Sequence, residues 1–137
     1  MITAIDTNVI SSLWSREESA DTLGHKLDGA QADGALIIAA PVYAELHAFP
    51  GATAAFIRDF LDQTRIAVDF ELDANVWNAA AAGFALYAQR RRVSGSGTPK
   101  RFLTDYLIGA HALLRAQRLL TLDPAPYRQD FPQLRLL

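Results

Sequence analysis

Residues 2–9 read Ile-Thr-Ala-Ile-Asp-Thr-Asn-Val, an apolar run that ends at a carboxylate followed by two polar residues. The run at 2–5 predicts a short buried β-strand, and the residues after it predict a helix from about 7 to 14. In an open α/β sheet, the carboxyl ends of the strands and the starts of the following helices share one rim. The sequence therefore places Asp6 on that rim.

The same alternation of strand and helix continues along the chain. Further strands are predicted at 35–39, 66–70, 119–122 and, near the C-terminus, 134–137. Further helices are predicted at 19–30, 41–50, 52–64, 73–91 and 105–116, with a flexible loop at 93–100. Strands separated by helices predict one α/β domain over residues 1–137, in which helices flank a mostly parallel central sheet.

Composition restricts the class of protein. The chain has 137 residues, half of them hydrophobic, which suits one domain with a substantial core. It has no cysteine, which excludes a disulfide framework and a thiolate metal site. No apolar run reaches the length of a membrane span, and the N-terminus lacks the features of a signal peptide. We therefore expect a cytoplasmic protein that has no membrane partner.

Three more acidic residues are predicted to lie on the rim that carries Asp6. Glu45 follows the second strand by about one helical turn, Asp105 opens a predicted helix, and Asp123 closes the run at 119–122. Four carboxylates on one rim would repel each other unless a cation lay between them. Oxygen ligands favour a hard ion, so the sequence predicts a Mg²⁺ or Mn²⁺ site built from these four acids.

Each acid also has an ordinary structural interpretation. Asp6 can cap the first helix, and Glu45 can be a surface residue of an amphipathic helix. Asp105 can support the dipole of a helix that is capped by Thr104, and Asp123 can form an Asp-Pro turn. The proposal of a site therefore depends on the four residues occurring together.

Neighbouring polar side chains are expected to support the acids. Thr7 and Asn8 follow Asp6 directly and can orient its carboxylate, or a water on the metal, by hydrogen bonding. Thr121 is two residues before Asp123, and the two-residue period of a strand puts both side chains on the same side.

A basic cluster precedes Asp105. It surrounds the Gly- and Ser-containing segment 94–99 and consists of Arg90, Arg91, Arg92, Lys100 and Arg101. Such a cluster can be a solvated helix end whose arginines offset the helix dipole. Because it lies beside the predicted acidic site, it can also hold the phosphates of a nucleic acid, with Arg91, Arg92, Lys100 and Arg101 as the predicted contacts.

Four short motifs occur in one order along the chain. They are Ile-Asp-Thr-Asn-Val at 5–9, Ala-Glu-Leu at 44–46, Leu-Thr-Asp-Tyr-Leu-Ile-Gly-Ala at 103–110 and Thr-Leu-Asp at 121–123. Together they resemble the PIN domain family. The size of the chain and the order of the motifs resemble the VapC-type ribonuclease toxins of bacterial toxin–antitoxin pairs. The resemblance covers essentially the whole chain.

The resemblance implies a metal-dependent endoribonuclease that hydrolyses RNA phosphodiester bonds with Mg²⁺ or Mn²⁺. It implies that Asp6, Glu45, Asp105 and Asp123 are the catalytic and metal-binding residues, with Thr121 as a hydroxyl neighbour. It also implies a small antitoxin partner and a homodimer. An antitoxin helix is expected to lie against apolar residues of the first helix, namely Val9, Leu13 and Trp14.

The chain departs from the family pattern at two places. Members often carry a serine shortly before the second acid, where residues 39–41 read Ala-Ala-Pro. A further acid often follows the fourth by two residues, where this chain has Ala125. The four principal acids are intact, so these departures bear on the finer geometry of the metal site.

Two other functions compete with a nuclease. A phosphoacceptor receiver domain has a similar size and uses acids at strand ends, but it needs a lysine after a late strand. Here the lysines are Lys26 and Lys100, and neither follows a late strand. The remaining alternative is a non-catalytic PIN-like RNA-binding or assembly module.

Overall fold

A four-stranded parallel sheet forms the centre of the computed structural model, which describes residues 1–95 and 100–137. The strands are β1 (Thr3–Ile5), β2 (Leu36–Ala39), β3 (Ile66–Asp69) and β4 (Arg118–Leu120). Their order in the sheet is β3-β2-β1-β4, and every neighbouring pair is parallel. The chain leaves β1 toward β2 on one side, while β4 lies on the other side. The crevice at such a switch point is where ligands bind in open α/β sheets.

Helices connect the strands. They are α1 (Thr7–Ser15), α2 (Ala20–Asp33), α3 (Ala40–Leu46), α4 (Ala54–Thr64), α5 (Ala74–Ser94), α6 (Leu103–Arg115) and α7 (Pro124–Asp130). The predicted α/β fold with a parallel sheet is confirmed. Within the described residues, none of these helices combines the length and the apolar character needed to cross a membrane.

Polar side chains set the starts of three helices. The Asp6 carboxylate accepts a hydrogen bond from the backbone N–H of Thr7 at 2.8 Å, at the start of α1. Thr53 caps α4 and Asp73 caps α5 in the same manner, each through its side-chain oxygen. These caps satisfy N–H groups that have no partner inside the helix. The cap interpretation of Asp6 is therefore correct, and it does not compete with a role in a site.

Several predicted boundaries were wrong. No strand forms at 134–137, where the backbone makes only an isolated parallel bridge from Leu136 to Leu119. Helix α3 ends at Leu46, well before Pro50, and α5 continues to Ser94 in the segment predicted to be a loop. Residues 96–99 of that predicted loop lie outside the described residues.

The start of α6 and the chain after β4 also differ from expectation. Helix α6 begins at Leu103 with Phe102 at the cap position, so Thr104 is not the cap. Asp123 and Pro124 do not form a simple turn, because they begin α7. A proline in the first turn of a helix is favourable, since its missing N–H has no intrahelical partner there. The short α7 closes over the switch point.

A glycine in α6 allows the close approach of the chain after α7. A Cβ atom added at Gly109 would lie 2.3 Å from Cε2 of Phe131 and 2.6 Å from its Cδ2. Phe131 is buried and lines the cavity described below, so the contact ties α6 to the wall of the site.

Gly109→Ala is expected to lower the free energy of unfolding by about 1–3 kcal/mol, because the ring of Phe131 must shift in a packed core. Alanine also improves helix propensity, so part of this cost is offset. Denaturant unfolding measures the change. Gly24→Ala in α2 is the matched control, since nothing lies within 4 Å of its added Cβ. Equal losses in both variants would show that the contact with Phe131 is unimportant.

Candidate active site

All four predicted acids line one cavity of about 270 Å³ at the switch point of the sheet. Asp6 follows β1, Glu45 lies near the end of α3, Asp105 lies in the first turn of α6, and Asp123 precedes α7. Four separate elements therefore bring their carboxylates to one place, as the rim argument predicted.

Asp6 is the most enclosed of these acids, with 6% of its surface exposed. One carboxylate oxygen accepts from the Thr7 N–H, and the other accepts from the Thr121 hydroxyl at 2.8 Å and the Tyr127 hydroxyl at 2.9 Å. Burial raises the pKa of Asp6 above its ordinary value, although these hydrogen bonds act to lower it. The negative charge of Asp105 raises the pKa further.

Glu45 is coupled to the same charges. Its carboxylate accepts a hydrogen bond from the Thr7 hydroxyl at 2.7 Å. Partial burial raises the pKa of Glu45, and the charges of Asp6 and Asp105 raise it as well. Asp6 and Glu45 thus lie where burial, and in smaller part nearby negative charge, disfavours their ionised forms, which a bound cation would favour.

Asp105 contacts the backbone that precedes its helix. Its carboxylate accepts a hydrogen bond from the Phe102 N–H at 3.3 Å, so it supports the start of α6. Its other oxygen accepts no hydrogen bond from the described residues, and the side chain lines the cavity. Asp105 therefore combines the structural role expected of a first-turn acid with a position in the site.

Asp123 differs from the other acids because it already has a positive partner. The Arg101 guanidinium lies 3.1 Å from its carboxylate, and its backbone N–H donates to the Thr121 hydroxyl at 3.1 Å. Thr121 therefore contacts both Asp6 and Asp123, which joins the ends of β1 and β4.

The two residues after Asp6 have different partners. Thr7 contacts Asp6 through its backbone and Glu45 through its hydroxyl. Asn8 lines the cavity, but its side-chain oxygen accepts from the Leu122 N–H at 3.1 Å rather than contacting the Asp6 carboxylate. Asn8 therefore positions the segment between β4 and α7.

The sequence did not indicate several cavity residues that come with α7. Tyr127 donates to Asp6, and both burial and the Asp6 charge raise the pKa of its hydroxyl, so it stays protonated as a donor. Asp130 is a fifth cavity acid, held by Arg90 and by the Tyr106 hydroxyl at 2.8 Å. The Asp-Pro pair was read as a turn, so the helix that carries these residues was missed.

The basic cluster is partly drawn into the site. Arg90 pairs with Asp130 and Arg101 pairs with Asp123, both at the cavity. Arg91 lies 3.4 Å from the Tyr87 hydroxyl, and the Lys100 ammonium lies 5.8 Å from the centre of the Phe102 ring. Arg92, the remaining residue of the basic cluster, is exposed. A purely solvated helix end does not describe this arrangement.

The residues predicted to contact a partner differ in exposure. Val9 is completely buried, so its prediction as a surface contact is wrong for the folded chain. Leu13 and Trp14 are partly buried and pack against the core. Trp14 makes edge contacts with three rings, those of Phe49, Phe56 and Phe60.

The donor set suits a hard divalent cation, because it consists of carboxylate and hydroxyl oxygens. Among the described residues, no three histidine or acidic side chains are placed to close around one ion. Mg²⁺ usually keeps several waters and needs only one or two protein carboxylates, so it does not require three acids around one ion. The residues that could hold it are Asp6, Glu45, Asp105 and Asp123, the last of which pairs with Arg101.

The comparison with protein families agrees with the fold and the site. The PIN domain model matches residues 3–132, so the chain belongs to the PIN domain family. This membership excludes the receiver-domain alternative. No curated protein matches the chain.

Solved structures share the fold over the whole chain. VapBC2 from Rickettsia felis bound to a DNA fragment from their promoter aligns with a TM-score of 0.66 and 19% identity, covering 100% of this chain and 98% of that one. VapBC-1 from nontypeable Haemophilus influenzae aligns with a TM-score of 0.64 and 21% identity, covering 100% and 97%. FitAcB from Neisseria gonorrhoeae aligns with a TM-score of 0.57 and 21% identity, covering 100% of this chain and 96% of that one. At these identities the likeness establishes the fold.

Proposed function

We propose that this chain is a metal-dependent endoribonuclease that acts as the toxin of a toxin–antitoxin pair. The observation that carries the proposal is the convergence of Asp6, Glu45, Asp105 and Asp123 on one cavity at the switch point. The pKa values of Asp6 and Glu45 are raised there, mainly by burial and in smaller part by the neighbouring carboxylate charges. Membership of the PIN family and the VapBC neighbours support the same activity.

The chemistry is hydrolysis of a phosphodiester bond. A divalent cation, when bound, would lower the pKa of its bound water toward neutral pH and neutralise charge that develops on the phosphate oxygens. The protein supplies the position of the carboxylates. The Thr121 and Tyr127 hydroxyls and the Thr7 N–H hold Asp6 in one orientation, while Thr7 also holds Glu45.

The activity is tested by incubating purified, partner-free protein with tRNA, rRNA and mRNA in the presence of Mg²⁺ or Mn²⁺. We expect cleavage that EDTA abolishes and added metal restores. RNA binding without cleavage under any metal condition would favour the non-catalytic PIN-like module. Because single-stranded context and shape govern RNA recognition, the panel should include both folded and unfolded RNA.

Mg²⁺ or Mn²⁺ is expected to stabilise the wild-type protein. A ligand that binds only the folded state adds RT ln(1 + [L]/Kd), so about 1–3 kcal/mol is expected at saturating millimolar metal. Thermal melts with increasing metal measure the effect, with Asp6→Asn as the control that should lose it. A wild-type melting temperature that neither metal changes would contradict a functional cation site.

Replacing Arg91, Arg92, Lys100 and Arg101 together with serine is expected to weaken RNA binding and its dependence on salt. Each lost phosphate contact should lower the log–log salt slope by about 0.7–0.9. Salt titrations of RNA affinity measure this, and stabilisation by metal should persist. The control replaces two exposed cations on α2 and α4, Lys26 and Arg58, which lie outside the cavity. An unchanged salt slope in the four-residue variant would show that the cluster does not contact RNA phosphates.

The proposed partner is a small antitoxin. The neighbouring structures in the comparison include VapBC assemblies, and this chain has an acidic cavity that a basic side chain of a partner could enter. Leu13 and the half-exposed Phe56 present apolar surface to a partner helix beside Trp14. Co-expression with the neighbouring small open reading frame, followed by pull-down and an RNA cleavage assay, tests this partner. Homodimer formation is a further proposal, which sedimentation measurements test.

A further inference from the structure

The charge balance of the cavity depends on one basic residue. The described residues that line it include five acids and a single basic side chain, that of Arg101. Among the described contacts, Arg101 makes no ion pair with Asp6, Glu45 or Asp105. It pairs instead with Asp123, at 3.1 Å. Asp123 is thus compensated from within the cavity lining, whereas Asp130 pairs with Arg90, which lines the neighbouring cavity.

Arg101 is anchored through its backbone, while its side chain reaches Asp123. Its N–H donates to the Tyr87 hydroxyl, which fixes the start of the segment leading into α6. The guanidinium is partly exposed and borders a second cavity of about 200 Å³, which shares Asp123 and Asp130 with the first. The side chain therefore lies on the boundary between the acidic cavity and a neighbouring groove.

We propose that Arg101 is an internal counter-ion that holds Asp123 until RNA binds, and that it then transfers to an RNA phosphate beside the scissile bond. This inference rests on the proposed nuclease function. A guanidinium pairs with a phosphate as well as it pairs with a carboxylate. Transfer to the phosphate frees Asp123 to face the cation, so RNA and the divalent metal bind cooperatively. Substrate arrival then completes the metal site.

The expected size of the coupling follows from the exposure of the pair. Both side chains are partly exposed, at 27% for Arg101 and 53% for Asp123. Exposed ion pairs contribute less than about 1 kcal/mol, so removing Arg101 should tighten metal binding by about two- to fivefold. Transfer of Arg101 to an RNA phosphate removes the same ion pair, so RNA should tighten metal binding by a similar factor, and by linkage the metal should tighten RNA binding equally.

A double-mutant cycle tests the proposal with Mn²⁺ binding measured by calorimetry. The variants are Arg101→Gln, Asp123→Asn and the double variant, each with and without RNA. The probe is a mixed-sequence 2′-O-methyl phosphorothioate oligomer, which resists hydrolysis. The matched cycle uses Arg115→Gln and Asp73→Asn, a surface pair at 2.6 Å with nearly the same exposures of 31% and 47%.

We expect Arg101→Gln to bind Mn²⁺ about two- to fivefold more tightly than wild type, and to have no effect in the Asp123→Asn background. The oligomer should tighten Mn²⁺ binding to wild type and not to Arg101→Gln, while the Arg115 cycle should change nothing. An equal effect of Arg101→Gln in both backgrounds would overturn the proposal, because Arg101 would then act as a general charge. An oligomer that leaves the wild-type Kd unchanged would overturn it as well.

Failure of the proposed function gives a different result. If neither wild type nor Arg101→Gln binds Mn²⁺ and no RNA is cleaved, the nuclease proposal and this inference fall together. If wild type binds Mn²⁺ and cleaves RNA while the cycle shows no coupling, the nuclease proposal survives and only the counter-ion role is overturned. If Arg101→Gln binds Mn²⁺ and wild type does not, the result supports the inference, since it shows that Arg101 blocks the metal site.

Discussion

Asp6→Asn is expected to abolish RNA cleavage, with a loss of at least about 100-fold, while the fold stays intact. An amide lacks the negative charge that holds a hard cation, so the metal site loses its most buried ligand. Asp105→Asn should have the same effect. Cleavage rates with Mg²⁺ and Mn²⁺ measure the loss, and circular dichroism checks the fold. Full activity in either variant would remove that residue from the site.

The matched control is Asp73→Asn. Asp73 caps α5 as Asp6 caps α1, but it lies outside the cavity. Asparagine is as good a cap as aspartate, so neither substitution should unfold its helix. If loss of a cap explained inactivity, both variants would be inactive. We expect only the Asp6 variant to lose cleavage.

Asp6→Asn should also change how stability depends on pH. The pKa values of Asp6 and Glu45 are raised in the folded state above 3.8 and 4.5. The folded state therefore binds protons more strongly than the unfolded state does. The resulting contribution to the free energy of unfolding is complete below those ordinary values and is lost as pH rises through the raised pKa values. Metal-free wild type should lose stability over that window, and Asp6→Asn should lose less. A steeper decline in the variant would contradict the raised pKa of Asp6.

Local sequence pattern was sufficient to predict the elements that carry the first three acids. The run at 2–5, the polar residues after it and the capping preference of Asp6 all favour one strand followed by one helix. The general rule for open α/β sheets then brings the strand ends together without knowledge of packing. Consistency between local preference and topology explains why this part of the prediction agrees with the structure.

Contacts between distant residues were not predictable in the same way. Asp-Pro occurs both in turns and at helix starts, and only the packing of Tyr127 and Phe131 against the rest of the molecule decides for a helix here. The Arg101–Asp123 and Arg90–Asp130 pairs join residues that are 22 and 40 positions apart. Such pairs depend on tertiary placement, so the residues of α7 were missed, and the sequence placed the basic cluster beside the site without predicting its ion pairs with the cavity acids.

The burial of side chains on α1 also corrects the predicted partner-contact surface. Helical periodicity placed Val9, Leu13 and Trp14 on α1 but did not say which of them faced the core. The structure buries Val9 completely and makes Trp14 the centre of an aromatic cluster between α1 and α4. The sequence predicted Trp14 as a partner contact, and its contacts with three aromatic rings also give it a structural role.

Trp14→Ala is therefore expected to lower the free energy of unfolding by about 3 kcal/mol. Truncation removes the three edge contacts with Phe49, Phe56 and Phe60 and leaves a cavity between two helices. Denaturant unfolding measures the loss, and Trp77→Ala, which removes a tryptophan that is 45% exposed, should cost far less. Similar losses in both variants would show that the aromatic cluster does not hold α1 to α4.

Trp14→Phe separates the packing contribution from the polar one. The Trp14 indole nitrogen is buried and has no hydrogen-bond partner among the described residues, which is unfavourable. Phenylalanine keeps a ring in the cluster and removes that nitrogen, so it should cost less than about 1.5 kcal/mol. A partner that binds Trp14→Phe normally but fails with Leu13→Ala, in protein that remains folded, would place the docking surface beside the aromatic cluster. If Trp14→Phe destabilises as much as Trp14→Ala, the indole nitrogen has a partner in solution and the packing argument fails.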